Sequence, residues 1–211
     1  VRAIAPVLQK GALVILESTS PIGTTGKICQ WLAEERKDLT FPDMAGNDSD
    51  VQISHSPERV LPGNILEEIV NNDRVIGGIS SNCSARTKQL YKIIIKGECL
   101  LTTAATAEFI KLSENAYRDI NIAFANELSI VADKVGINVW QAIKLANHHP
   151  RVNILQPGPG VGGHCIAVDP WFIVNSAPNN TPLIQSARKV NDDKPKFIVE
   201  KILAAIDKNG A

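Results

Sequence analysis

The amino-acid sequence predicts an α/β chain, with a parallel, doubly wound sheet followed by an all-helical domain built on one long central helix. Three observations carry this. Short apolar runs of strand length recur at 12–17, 51–55, 74–78 and 98–102. Helical patterns separate them, and strands that alternate with helices build parallel sheets. From Thr106 to Val135 the alternation gives way to one uninterrupted helical pattern ended by Gly136. At about 30 residues and about 1.5 Å per residue, this helix is about 45 Å long.

Composition sets the outer limits. A chain of 211 residues, 44% hydrophobic and 21% charged, buries a core as one large or two small domains. Its 22 basic residues balance 22 acidic ones, so no polyanion is implied and nucleic acid is not an expected partner. Cys29, Cys83, Cys99 and Cys165 lie far apart without metal spacing, which predicts free thiols in a reducing, cytoplasmic compartment. No signal peptide is seen and no apolar run could span a bilayer, so no membrane partner is expected. The chain begins at Val1 inside a helical pattern, and a piece of a longer protein is expected.

Taken in order, residues 1–10 read as the end of an amphipathic helix closed by Gly11, and 12–17 as a buried strand. The hydroxyl-rich turn Ser18–Thr25 leads into a helix over 24–37, and residues 38–50 read as a polar loop. A second strand ends at His55, before Ser56-Pro57-Glu58-Arg59-Val60-Leu61-Pro62-Gly63, where two prolines and a glycine exclude regular structure. Asn64 is expected to cap a short helix and Asn82 a longer one reaching about Lys96, with strands at 74–78 and 98–102. No G-x-G-x-x-G follows any of these strands, so a dinucleotide-binding sheet here would lack its phosphate-binding half.

The long helix carries apolar residues on more than one face, which predicts burial on several sides and a dimer contact. Lys111, Asn115 and Arg118 form a polar stripe along it, which alone would most simply be solvated. Asn138 caps a helix to about Ala146. The adjacent His148 and His149 lack the spacing of a helical metal pair, and no metal is expected. Helices are predicted at 170–174, 183–190 and 197–206, the last started by Asp193-Lys194-Pro195.

The stretch Gly158 to Pro170 holds four glycines, then His164 and Cys165, then Asp169-Pro170. Asp169 reads as an N-cap with proline at the first helical position. A lone cysteine is usually a small buried hydrophobe. Between a glycine loop and a helix start it becomes a candidate nucleophile, with Asp169 to handle water and protons. His164 is a poor base for it, because adjacent residues seldom achieve the required orientation.

The motifs Glu17–Thr25, Ser56–Arg59, Arg74–Gly78, Ala107–Asn115 and Gly162–Asp169, in this order, resemble the UDP-glucose/GDP-mannose dehydrogenase family of nucleotide-sugar 6-dehydrogenases. His148–Leu155 and the run into Cys165 are similar to the branch that oxidises UDP-N-acetyl-D-mannosamine. The resemblance implies the second half of a Rossmann-type NAD-binding domain at 1–104. It also implies a helical dimerisation domain at 105–192 and, at 193–211, the start of a connection to a UDP-binding domain.

It further implies a homodimer through the helix 106–135 and a two-step oxidation of the sugar C6 hydroxymethyl with NAD. Cys165 is then the nucleophile and Lys111 stands beside the developing oxyanion. Asn115 bonds the same oxygen or the sugar, Asp169 and Thr19 hold the water, and Glu58 is the base for hydrolysis. Thr19 and Glu58 also border the cofactor. Arg59, Val60 through its backbone, Arg118, His149, Arg151 and Gly162 correspond to substrate contacts, besides Lys111 and Asn115. A non-catalytic dimerisation fragment of such an enzyme, and relatives acting on other UDP-hexoses, are the competing readings.

Overall fold

The structure, a computed structural model, describes residues 1–60 and 63–209. The Leu61-Pro62 part of the irregular segment lies outside the described residues. The chain divides into two compact units, the second beginning at Ser113.

The first unit is a four-stranded sheet with helices. Its elements are β1 (Leu13–Leu16), α1 (Thr24–Glu35), α2 (Pro42–Ala45), β2 (Gln52–His55), α3 (Ile65–Asn71), β3 (Arg74–Gly78), α4 (Ser81–Tyr91) and β4 (Cys99–Thr103). The strands lie in the order β1-β2-β3-β4. β1 pairs with β2 and β3 with β4 in parallel, as the alternating pattern predicts. The joint between β2 and β3 is antiparallel, so the sheet is parallel-rich, not uniformly parallel. An apolar run carries no direction of its own. Here α3 buries none of its residues, so it does not serve as a crossover layer between β2 and β3. In α1, Ile28, Cys29 and Leu32 fall on one face and close a core with Leu8, Phe41, Val51 and Ile53.

Local corrections have local causes. The first residues form a 3-10 helix, Arg2–Val7, containing Pro6, in place of an amphipathic α-helix. Arg36 donates to the carbonyls of Ala5 (2.8 Å) and Leu8 (2.6 Å) and so finishes it. The loop at 38–50 contains α2 and a 3-10 turn at Gly46–Asp48. Ser80, not Asn82, caps α4 by accepting from the Cys83 N–H. That helix ends at Tyr91, short of Lys96.

The helix α5 (Ala104–Lys134) is 31 residues long and begins inside the first unit. There Glu108, 1% exposed, accepts from the Gly23 N–H (2.5 Å), the Thr25 N–H (2.7 Å) and the Thr25 hydroxyl (2.6 Å). A carboxylate thus satisfies the open N-terminus of α1, which lacks a side-chain cap of its own.

The second unit holds the rest of α5 with α6 (Val139–Ala146), α7 (Asp169–Ser176) and α8 (Pro182–Asn209). Gly136, at φ 72°, ends α5 as expected, and Asn138 caps α6 by accepting from the Gln141 N–H. The two helices predicted at 183–190 and 197–206 are one, α8, running through Pro195. A mid-helix proline removes one donor and crowds a carbonyl at a cost of about 3 kcal/mol. Buried polar bonds from Arg188, Asn191 and Lys194 hold α8 against α5 before that defect, and the Lys201–Asp133 ion pair at 2.6 Å holds it after. Among the described residues no helix is long and apolar enough to cross a membrane.

Replacing Glu108 by Ala leaves three donors without their acceptor. We expect the melting temperature of the first unit to fall by about 5–10 °C, with Glu108→Gln intermediate. Thermal scans of both variants check this, and unchanged melting would refute the capping role.

Candidate active site

In the first unit the expected residues gather at one edge of the sheet. β1 and β2 are parallel neighbours, so the chain leaves both at the edge where open α/β sheets take ligands. Beyond the strands the two loops stay side by side. The Ser56 N–H donates to the Leu16 carbonyl at 3.0 Å and the Glu58 N–H to the Glu17 carbonyl at 3.4 Å. This puts half-buried Thr19 on one loop and half-buried Glu58 on its neighbour, with Arg59 exposed beside it.

The antiparallel joint contributes a residue that sequence reasoning did not single out. It pairs His55 with Gly77, and continuing that register brings Arg74 opposite Glu58. Arg74, 8% exposed, has its guanidinium 3.7 Å from Glu58, 3.4 Å from Glu17 and 4.6 Å from the Tyr91 ring centre. One buried cation therefore holds two carboxylates at the ligand edge. The Tyr91 hydroxyl donates to Glu17, and burial together with that bond pushes its pKa up to about 12. Glu58 also accepts the Val60 N–H at 2.6 Å. Lys111 is half-buried on the α5 segment of this unit.

The second unit assembles the cysteine site. Cys165 is exposed, whereas Cys29, Cys83 and Cys99 are buried. Its carbonyl accepts the Val168 N–H (3.0 Å) and the Asp169 N–H (2.9 Å), forming a turn that runs directly into α7. Asp169 is not the cap: Val168 takes that position and Asp169 lies inside the first turn, 3% exposed. Its carboxylate is drawn inward, where Asn115, 5% exposed, donates to it from Nδ2 at 2.6 Å. A carboxylate at a helix start is favoured by the helix dipole, and the amide bond fixes its direction. The cysteine turn, Asp169 and Asn115 are thus one connected group.

His149 and Arg151 are exposed in the loop after α6, and the His149 Nδ1 accepts the Arg151 N–H at 3.3 Å. Asn147 closes the base of this loop, donating to the Ile154 carbonyl (2.9 Å) and accepting its N–H (2.8 Å). An Asn directly after a helix signals such a clasp, but its partner is found only in the folded chain. Arg118 and Gly162 are exposed.

Comparison with known proteins places these features. Residues 1–95 match the NAD binding domain of the UDP-glucose/GDP-mannose dehydrogenase family, and residues 105–193 match its central domain. The chain belongs to that family. It is 64% identical over 201 residues to a UDP-N-acetyl-D-mannosamine dehydrogenase of Campylobacter jejuni, covering 95% of this chain and 49% of that protein. An NDP-N-acetyl-D-galactosaminuronic acid dehydrogenase of Ralstonia solanacearum is 58% identical, covering 97% of this chain and 48% of that one. Among solved structures, a UDP-D-ManNAc dehydrogenase from Pyrococcus horikoshii superposes with a TM-score of 0.91 at 43% identity. It covers 99% of this chain and 48% of that chain. The chain spans about half the length of the curated relatives it matches.

With one exposed thiol among four, iodoacetamide under native conditions should add once per chain, at Cys165. Peptide mass mapping checks this. A first adduct at Cys29, Cys83 or Cys99 would contradict the site as described.

Proposed function

We propose that this chain carries the catalytic cysteine half of an NAD-dependent UDP-sugar 6-dehydrogenase, acting on UDP-N-acetyl-D-mannosamine. The single observation that carries the reading is the connected group of an exposed Cys165, the inward-facing Asp169 and Asn115. Identity to relatives named for the mannosamine and galactosaminuronic acid reactions is similarly high. The mannosamine assignment therefore leans on the His148–Leu155 motif.

The first unit suits the cofactor in one respect. Two loops leave parallel strands side by side at the ligand edge, bearing Thr19 and Glu58. NAD, when bound, supplies the oxidising power, accepting a hydride at each of the two steps. The remaining work belongs to the chain. Lys111 offers a cation to the oxygen at C6 as negative charge gathers there, and Asn115 a hydrogen bond from its amide. Cys165 adds its sulfur to the aldehyde carbon, so the reactive intermediate stays bound. After the second oxidation the same sulfur holds a thioester. Glu58 takes a proton from the water that attacks it, Thr19 and Asp169 hold that water, and the C–S bond breaks to return the thiol. Arg59, Arg118, His149 and Arg151 bind the sugar nucleotide, together with the Val60 and Gly162 backbones. Arginine forks suit the diphosphate.

We also propose a homodimer through α5. Tyr117, Phe124 and Val131 recur every seven residues along it and are 69%, 52% and 51% exposed. An apolar stripe at that spacing packs readily against a second helix. A cytoplasmic location agrees with the free cysteines.

Replacing Cys165 by Ser should lower carboxylate formation from UDP-N-acetylmannosamine and NAD by about 1,000-fold or more. UDP-sugar affinity should stay within about threefold, because the thiol acts on the bound aldehyde. Turnover within about tenfold of the unsubstituted protein would overturn the nucleophile. Sedimentation should give twice the chain mass at micromolar concentration, and a stable monomer would count against the α5 dimer.

A further inference from the structure

The glycine-rich segment leading to Cys165 is tied to a fully buried polar group of the second unit. Asn126 of α5, fully buried, uses both atoms of its amide. Its Oδ1 accepts the Gly158 N–H at 2.8 Å, and its Nδ2 donates to Asn191 Oδ1 at 2.9 Å. Asn191 in turn donates to the Asp119 carboxylate (2.8 Å) and carbonyl (3.0 Å). Arg188 donates to the same carboxylate at 2.6 Å. Lys194 donates to the Asn126 carbonyl at 3.4 Å and also to Ser129 Oγ.

The orientation of this chain of amides is forced. A backbone N–H at one end requires an oxygen from Asn126, and a carboxylate at the other requires a nitrogen from Asn191. No amide can flip without breaking two bonds. A second contact lies two residues along the segment. Gly160, at φ 143°, packs so closely on α8 that a Cβ there would meet Pro195 Cγ at 3.0 Å and the Asn191 carbonyl oxygen at 3.2 Å. Pro195 has no N–H to give to that carbonyl, which is where the segment approaches. Beyond this point Gly162 and Gly163 have open space around them, and only Val161 to His164 separate the second contact from Cys165.

We propose that Asn126 is a positioning residue for Cys165. Its side-chain carbonyl clamps Gly158 and so fixes the point from which the glycine segment carries the cysteine to the start of α7. This rests on the reading of Cys165 as the nucleophile. The polar network is the means by which α5 and α8 set where that nucleophile sits.

Residue-resolved amide exchange on the chain tests it. The Val168 and Asp169 N–H groups bond the Cys165 carbonyl and report on the cysteine turn, while the Ala177 N–H, bonded to Ile173 and Val174, reports on the end of α7. In Asn126→Ala, Gly158, Val168 and Asp169 should exchange about tenfold faster or more, with Ala177 changed by less than about twofold. Asn126→Asp, kept as the neutral acid by burial, retains an acceptor for Gly158 and an O–H for Asn191 Oδ1, and should hold Val168 and Asp169 within about threefold of the unsubstituted chain. Should Asn126→Ala not fold, Gly158→Pro deletes the same bond from the donor side, and the Val168 and Asp169 amides are read against Ala177. Acceleration confined to Gly158, or equal at all four amides, would overturn the proposal. The exchange measurement reads the clamp and the Cys165→Ser assay reads the chemistry, so the two fail separately.

Discussion

The second unit depends on the Asp119 carboxylate. It is wholly buried, and burial pushes its pKa up while Asn191 and Arg188 pull it back down. Burial works against the charge of a bare carboxylate in that position, so the guanidinium and the amide are what oppose its neutralisation between α5 and α8. Removing one partner of a buried ion pair typically costs about 3–5 kcal/mol, because the other charge is stranded. The network is not fully satisfied either, since Asp119 Oδ2 and Arg188 Nε are buried without hydrogen-bond partners among the described residues. Such an arrangement gains orientation more than it gains stability. Around it the apolar contribution is thin, with Ala116, Ala123, Ala132 and Ala187 among the buried residues. Small side chains let polar groups reach across where larger ones would hold the backbones apart.

The first unit follows a comparable logic on a sheet. A buried Glu108 finishes the N-terminus of α1, and a nearly buried Arg74 gathers Glu17 and Glu58 at the sheet edge. In each case an ionised side chain meets groups of opposite character that the fold has to satisfy in any event. The loops that emerge from parallel β1 and β2 carry Thr19 and Glu58, the residues proposed to meet a ligand. In both units the supporting residues are more buried than the groups proposed to do chemistry.

Much was legible in the chain beforehand. Strands at 13–16, 52–55, 74–78 and 99–103 were marked by apolar runs between turn residues, and α5 by an unbroken helical period. Cys165 stood out through its glycines and the following Asp169-Pro170, and the family through five ordered motifs. The failures were of two kinds. Caps were misassigned by a few residues, since Ser80 and Asn82 compete for one helix and Asp169 looks like a cap until its carboxylate is seen turned toward Asn115. Asp193-Lys194-Pro195 reads locally as the start of a new helix, because local rules judge a proline without knowing what holds the helix on either side.

The sequence by itself determined the four strands and the long helix α5, and which side chains are equipped for nucleophilic and acid–base work. Those properties depend on periodicity and residue chemistry within a few positions. Only the tertiary structure decided that β3 runs against β2 and so sets Arg74 beside Glu58, and that Asn126 reaches Gly158. Both outcomes join residues far apart in the chain, and neither strand direction nor the partner of a buried amide is encoded locally. They follow from which burial arrangement leaves the fewest charges and amides unmatched.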